Sequence, residues 1–159
     1  YANNSIQTHF HKIPNEDFEL DFVNNIIPTI RITQSVITQF RKKKNGKLIT
    51  ILTSALANTP PLGWSCYTAN KAYLESLVKS WANENIKFNI TSNSVSPSFM
   101  QTKLTSNIDE RIIEQMISNH PLKKLLTVEE VAETVFYLTK ASSQINGVDI
   151  LMNAGINIK

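Results

Sequence analysis

Apolar residues recur at helical spacing through residues 16–44, at Phe18, Phe22, Ile26, Ile30, Val36, Ile37 and Phe40. That period predicts one long amphipathic helix, with Asn15 placed to cap it. Pro28 lies inside the stretch. It lacks the N–H that the Asn24 carbonyl needs and crowds that carbonyl, which predicts a kink near Asn24 and Asn25. The pattern then changes. "KLITILTS" (47–54) is apolar and β-branched, follows Asn45-Gly46, and predicts a buried strand. Residues 65–83 return to helical spacing, with Ala69, Ala72, Tyr73, Ser76, Leu77 and Ser80 as small or apolar contact positions. "KFNITSNSVSP" (87–97) predicts a second strand that Pro97 ends. Residues 103–118 predict an amphipathic third helix. "TVEE" (Thr127–Glu130) has the form of a capping box and opens a fourth helix through Leu138. "GVDILMN" (147–153) predicts a third, short strand, and "YAN" at the start reads as the tail of another. Strands alternating with helices predict an α/β domain whose parallel sheet is covered on both faces.

Composition narrows the function classes. The 159 residues are 42% apolar and 18% charged, which suits one globular domain spanning 1–159 and not a disordered chain. The net charge is only +3, and its dense run, Arg41-Lys42-Lys43-Lys44, reads as a solvated helix end rather than a nucleic-acid patch. A lone cysteine, Cys66, allows no internal disulfide and suits a reducing, cytoplasmic compartment; such a cysteine is most often a small core residue. No apolar run is long enough to cross a membrane. His9, His11 and His120 have no acidic or cysteine partners at ligand spacing, so no metal is expected.

Candidate chemistry centres on "YTANK" (67–71). In a helix Tyr67 and Lys71 share a face. A phenol of pKa about 10 is a poor acid at neutral pH, and a nearby ammonium favours its phenolate and makes it a usable proton donor. Taken alone, the pair reads as an ordinary surface pair. Its surroundings strengthen it. Ser54 ends the predicted strand thirteen residues before Tyr67, at the sheet edge where open parallel sheets bind ligands. Asn25 falls at the predicted kink, where a freed backbone group can hold a water linking Lys71 to solvent. "SPSFMQT" (96–102) follows the next strand at the same edge.

These residues together resemble the short-chain dehydrogenase/reductase family, particularly its 3-oxoacyl-(acyl-carrier-protein) reductase-like members, over nearly the whole chain. "YTANK" matches the family's Tyr-x-x-x-Lys, and Ser54 matches its serine thirteen positions earlier. "FVNNIIPTIRITQ" is similar to the segment of the fourth catalytic residue, and counting back from Thr33-Gln34 places that residue at Asn25 rather than Asn24. "YANNS" looks like the end of the Asn-Asn-Ala-Gly strand, with Asn3 on its second asparagine. "SPSFMQT" is similar to the Pro-Gly-x-x-x-Thr loop that meets the nicotinamide, which implies Pro97, Met100 and Thr102 as cofactor-binding residues. "INGVDILMNAG" looks like the closing strand and its tail.

The resemblance implies a Rossmann-type doubly wound parallel sheet, incomplete at its N-terminus, and a hydride transfer between NADP or NAD and a carbonyl or acyl thioester. Tyr67 would be the acid/base, Lys71 would tune it and hold the ribose, Ser54 would orient the carbonyl, and Asn25 would hold the relay water. Tyr67, Lys71 and Asn3 would also touch cofactor. The glycine-rich pyrophosphate turn of the family is absent: the four glycines, Gly46, Gly63, Gly147 and Gly155, make no such loop, and Ser98 stands where the family has glycine after Pro97. The chain is therefore expected to be the C-terminal part of a longer protein. A homodimer or homotetramer, paired through the Tyr67–Lys71 helix and the kinked helix, is implied as well. The alternative is a non-catalytic relative, a binding or assembly subunit that keeps the fold and has lost cofactor. Phe99, Trp64 and Met116 are open between pocket lining and plain core, and residues 103–118 between a lid and a surface helix.

Overall fold

The computed structural model describes residues 8–57, 59–105 and 108–156, with the Leu104 side chain left aside. Asn3 and the "YAN" segment lie outside the described residues. The order of elements is α1 (Asn15–Asn25), α2 (Ile27–Lys43), β1 (Gly46–Ile51), α3 (Ser65–Asn85), β2 (Ile90–Pro97), α4 (Glu110–Asn119), α5 (Val128–Lys140) and β3 (Asp149–Met152). The three strands form one parallel sheet in the order β1-β2-β3, as the alternation of strands and helices predicts.

The expected single helix with a kink is two helices. The break falls at Ile26, the hinge residue shared by α1 and α2 (φ −100°, ψ −49°), and Pro28 sits in the first turn of α2, where a missing N–H costs nothing. Asn15 does not cap: Pro14 occupies the cap position without a side-chain bond, and Asn15 is the first helical residue. The basic run fills the exposed last turn of α2, which closes on Lys44 in the left-handed region (φ 50°). Within it Arg41 is engaged, donating from Nε to Asn85 Oδ1 at 2.7 Å and lying over the Phe88 ring. Gly46 follows because the Phe40 ring lies where a Cβ would be, within 2.0 Å.

Boundaries shift where local geometry competes with the pattern. β1 stops at Ile51, so Ser54 lies past the strand and opens a short 3-10 turn, Ser54–Leu56. β2 begins at Ile90 because Asn89 takes a left-handed conformation (φ 55°) after a 3-10 turn. The expected helix over 103–118 is a 3-10 turn, Lys103–Thr105, and then α4, which Asp109 caps at Arg111 N (2.8 Å). The capping box is present: Thr127 Oγ1 accepts from Glu130 N, and Glu130 Oε2 accepts from Thr127 N. It opens α5 as predicted, and α5 runs two residues beyond Leu138.

Strand alternation divides the core. Leu52 joins Ile26 and Leu74 on the α1–α3 face, while Ile49, Val95 and Ile150 join Val131 and Leu138 on the α5 face. β2 is buried along its whole length although five of its eight residues are Ser, Thr or Asn. Much of that polarity is satisfied by β3 and its approach: Ser94 and Ser96 both donate to Asp149 Oδ1, and Asn93 bonds the Ile145 carbonyl and the Val148 N–H. Small side chains there also let α3 lie close to the sheet.

Candidate active site

α3 starts at Ser65, and its first turns carry Tyr67, Asn70 and Lys71 toward β1. The last turn of α1 brings Asp21 and Asn25 to the same place. Asp21, Asn25, Tyr67, Asn70 and Lys71 line one cavity of about 350 Å³, whose β1 wall runs from Leu48 to Ile51. The cavity lies along β1, whose pairing among the described residues is with β2 alone.

Lys71 Nζ donates to the Ile51 carbonyl at 2.7 Å and lies 5.7 Å from the centre of the Tyr67 ring. Burial pulls its ammonium down from 10.5 to about 8. The Tyr67 ring is also packed edge-on against Trp64, which sets its plane. The expected depression of the Tyr67 phenol is not found. Burial pushes it up from its usual value, and a hydrogen bond with the Thr53 side chain pulls the other way. The ammonium is held at the strand end, so the groups acting on the hydroxyl are its buried surroundings and Thr53.

Asn25 donates from Nδ2 to both the carbonyl and Oδ1 of Asp21, at 2.9 and 3.0 Å. Asp21 Oδ2 accepts from Asn70 Nδ2 at 2.7 Å. The Asn25 side-chain carbonyl is thereby turned away from the carboxylate, and its Oδ1 is buried without a hydrogen-bond partner among the described residues. A buried orphan acceptor is costly and asks for a donor beyond the described residues. The backbone carbonyl of Asn25 accepts from Thr29 Oγ1.

Of the residues singled out in the sequence, the structure gathers Tyr67, Lys71 and Asn25 around the cavity. Ser54 adjoins them: it is buried one residue past Thr53, which touches Tyr67, and it does not line the cavity itself. Pro97 ends β2 beside Met152, at the same C-terminal edge of the sheet. Met100 and Thr102 belong to a loop knotted on Thr105, whose hydroxyl donates to the carbonyls of Met100 and Thr102 and accepts from Thr102 N. None of these three lines the cavity, and Met100 packs into the α5-side core. Trp64 packs edge-on against Tyr67, Met116 is exposed on α4, and Phe99 is half-buried. Cys66 is buried, and burial together with the nearby Asp21 carboxylate pushes its thiol up, as suits a core residue. Sequence reasoning missed Thr53, Asp21 and Asn70. Asp21 stands four before Asn25 and Asn70 three after Tyr67, spacings that put both on the site's side of their helices.

The family model described as enoyl-(acyl carrier protein) reductase matches residues 1–157. Among curated proteins, the 3-oxoacyl-(acyl-carrier-protein) reductase of Thermotoga maritima is 29% identical over 92% of this chain and 60% of its own length. That of Buchnera aphidicola subsp. Acyrthosiphon pisum is 35% identical over 83% of this chain and 54% of its own. Among solved structures, the 3-ketoacyl-(acyl-carrier-protein) reductase from Brucella melitensis complexed with NADH superposes with a TM-score of 0.86. It is 20% identical, and the match covers 99% of this chain and 65% of that one. The chain thus spans a little over half the length of the curated relatives it matches.

Proposed function

The chain belongs to the short-chain dehydrogenase/reductase family, and on that premise we propose that it carries the catalytic residues of an oxidoreductase. The reaction is hydride transfer between NAD or NADP and a carbonyl or alcohol, with 3-oxoacyl thioesters as the substrate class. The observation that carries the reading is the shared cavity: Tyr67, Lys71 and Asn25 come from two helices and converge on one strand end. That convergence speaks against a relative that keeps only the fold.

The cofactor, when bound, supplies or accepts the hydride. Residues here fit such a group: one cationic donor, Lys71, and one phenolic donor, Tyr67, stand at the cavity wall, with an amide oxygen beside them that has no partner among the described residues. Lys71 and Tyr67 would hold it, with Pro97, Met100 and Thr102 on the loop after β2, and with Asn3. Tyr67 donates its hydroxyl proton to the carbonyl oxygen as hydride reaches the carbon, and is left as phenolate. Lys71, protonated below about pH 8, stabilises that phenolate from one side of its ring. Ser54 polarises the carbonyl oxygen. Asn25 holds the water through which Lys71 exchanges protons with solvent.

Pairing of copies through α1, α2 and α3 is part of the proposal. Ala69, Ala72 and Ser76 are exposed on α3 beside Tyr73, which is 43% exposed, so two such helices could approach closely. The test is oxidation of NADPH or NADH by the full protein with a 3-oxoacyl thioester. Turnover that requires the thioester supports the reading. No turnover, together with no shift in thermal midpoint with either cofactor, points instead to a binding or assembly subunit.

A further inference from the structure

Asp21 is a buried carboxylate that the reaction as proposed does not use. It is 9% exposed and wedged between two helices, acts on the Cys66 thiol, and lines the same cavity as Tyr67 and Lys71. Both of its oxygens are committed: Oδ1 to Asn25 on its own helix, Oδ2 to Asn70 on α3. Because a carboxylate only accepts, each amide must present its NH2 to it. The orientation of Asn25 is therefore dictated, and its oxygen has nowhere to turn but away. Asn70 precedes Lys71 directly and lies three residues after Tyr67, so the second bond ties the last turn of α1 to the turn of α3 that bears both.

A buried charge of this kind is a poor way to gain stability. Burial pushes the Asp21 carboxyl up from its usual value, and the Asn70 hydrogen bond recovers only part of that. A carboxyl whose folded pKa is raised disfavours the fold as pH rises through its range, so ionising this group costs stability. Something other than stability has to explain it, and the two amides that its carboxylate holds among the described residues flank the proposed site.

We infer that Asp21 is a positioning residue for the proton-relay side of the site, clamping the Asn25 and Asn70 amides at once and so fixing how Asn25 faces Lys71 and Tyr67. The inference rests on the dehydrogenase reading of the same site. Asp21→Asn tests it. The new side chain has one acceptor and one NH2 group in place of two acceptors, so it cannot satisfy both neighbouring amides without flipping one. The double substitution Asp21→Asn with Asn70→Asp restores an acceptor for Asn25 and a donor–acceptor pair between the helices, with the charge moved to α3. In the full protein, Asp21→Asn is expected to lower kcat about tenfold while KM for the carbonyl substrate stays within about twofold and the thermal midpoint is unchanged or higher. The double variant is expected to recover kcat to within about threefold of the original.

Two results overturn the inference while leaving the dehydrogenase reading intact: kcat unchanged in Asp21→Asn, or a loss of kcat that the double substitution does not restore. A fall in thermal midpoint that accompanies the loss of kcat in Asp21→Asn and is reversed with it would assign Asp21 a structural role and also overturn it. If Asp21→Asn does not fold, Asn70→Ala, which removes only the link to α3, decides the point by the same split of kcat against KM. An unsubstituted protein with no turnover overturns the dehydrogenase reading itself, and this inference with it.

Discussion

The two faces of the sheet are built on opposite principles. On the α5 side, Val95, Val131 and Leu138 form a dry apolar cluster with Ile49, Ile150 and Met152, and α5 is anchored by a complete capping box. On the α1–α3 side, the apolar cluster of Ile26, Leu52 and Leu74 ends in a cavity walled by Asp21, Asn25, Asn70, Lys71 and Tyr67. One face is mainly apolar packing, with Thr91 Oγ1, on the same side of β2 as Val95, buried without a partner among the described residues. The other leaves a buried carboxylate, an orphan amide oxygen and a half-buried ammonium, each a cost that packing alone would have removed. Such a concentration of buried polarity beside the C-terminal end of a parallel strand is where chemistry is expected.

The comparison breaks most sharply if substitutions on the two faces fail to separate activity from stability. Tyr67→Phe removes only the hydroxyl that gives up the proton. It is expected to lower kcat by about 10³ with the thermal midpoint within a few degrees, since general acid catalysis contributes about 10² to 10⁴. Stopped assays with the full protein measure this directly, and turnover within tenfold of the original would remove Tyr67 from the chemistry. Leu138→Ala is the mirror experiment. Leu138 is wholly buried in the α5-side cluster, and truncating such a residue costs about 2–5 kcal/mol. Denaturant unfolding should show that loss while kcat stays within about twofold at a temperature where the variant is folded.

Lys71 links the two properties through pH. Its ammonium titrates near 8 in the folded protein and near 10.5 when free of the fold. Between those values the unfolded chain holds the extra proton, so unfolding takes up protons and stability rises as pH climbs from about 8 toward 10.5. Turnover in the carbonyl-reducing direction moves the opposite way, because the cation beside the phenolate is lost above about pH 8. Thermal midpoints and kcat measured across that window should therefore diverge. Lys71→Met should flatten the stability rise and abolish most of the turnover at every pH. Parallel pH curves for both properties would mean that Lys71 titrates elsewhere.

How much of this was legible beforehand differs between the faces for a physical reason. Apolar periodicity reports burial, so most of the helices and the strands were readable from it, and the Thr127–Glu130 box from its own four-residue pattern. That Tyr67 and Lys71 share a helix face was readable from spacing, and Asn25 was singled out by the predicted kink together with the family resemblance. What could not be read was which polar side chain faces which. Asp21 sits among Leu20, Phe22 and Val23 on a helix and looks like an exposed charge until α3 is laid against it. Thr53 and Ser54 are adjacent hydroxyls, and only the stop of β1 at Ile51 and the following 3-10 turn determine which of them reaches Tyr67. The segment carrying Asn3 lies outside the described residues, so its place at the site stays an expectation.

That last pair supplies the finest test. Thr53 has two duties: its Oγ1 accepts from Ala55 N at 3.3 Å to cap the turn, and its side chain is hydrogen-bonded with Tyr67. Thr53→Val keeps the shape and removes both bonds, at an expected cost of about 1 kcal/mol, since each bond is weak or partly exposed. The Thr53 bond is what draws the Tyr67 phenol down against burial, so its loss should move the phenolate absorbance titration of Tyr67 to higher pH, and kcat should fall by about threefold. Ser54→Ala removes the hydroxyl proposed to hold the substrate and should lower kcat without moving that titration. If instead Ser54→Ala shifts the phenol and Thr53→Val leaves it in place, then Ser54 is the residue bonded to Tyr67 in solution, and the turn after β1 rotates by one residue when the site is assembled.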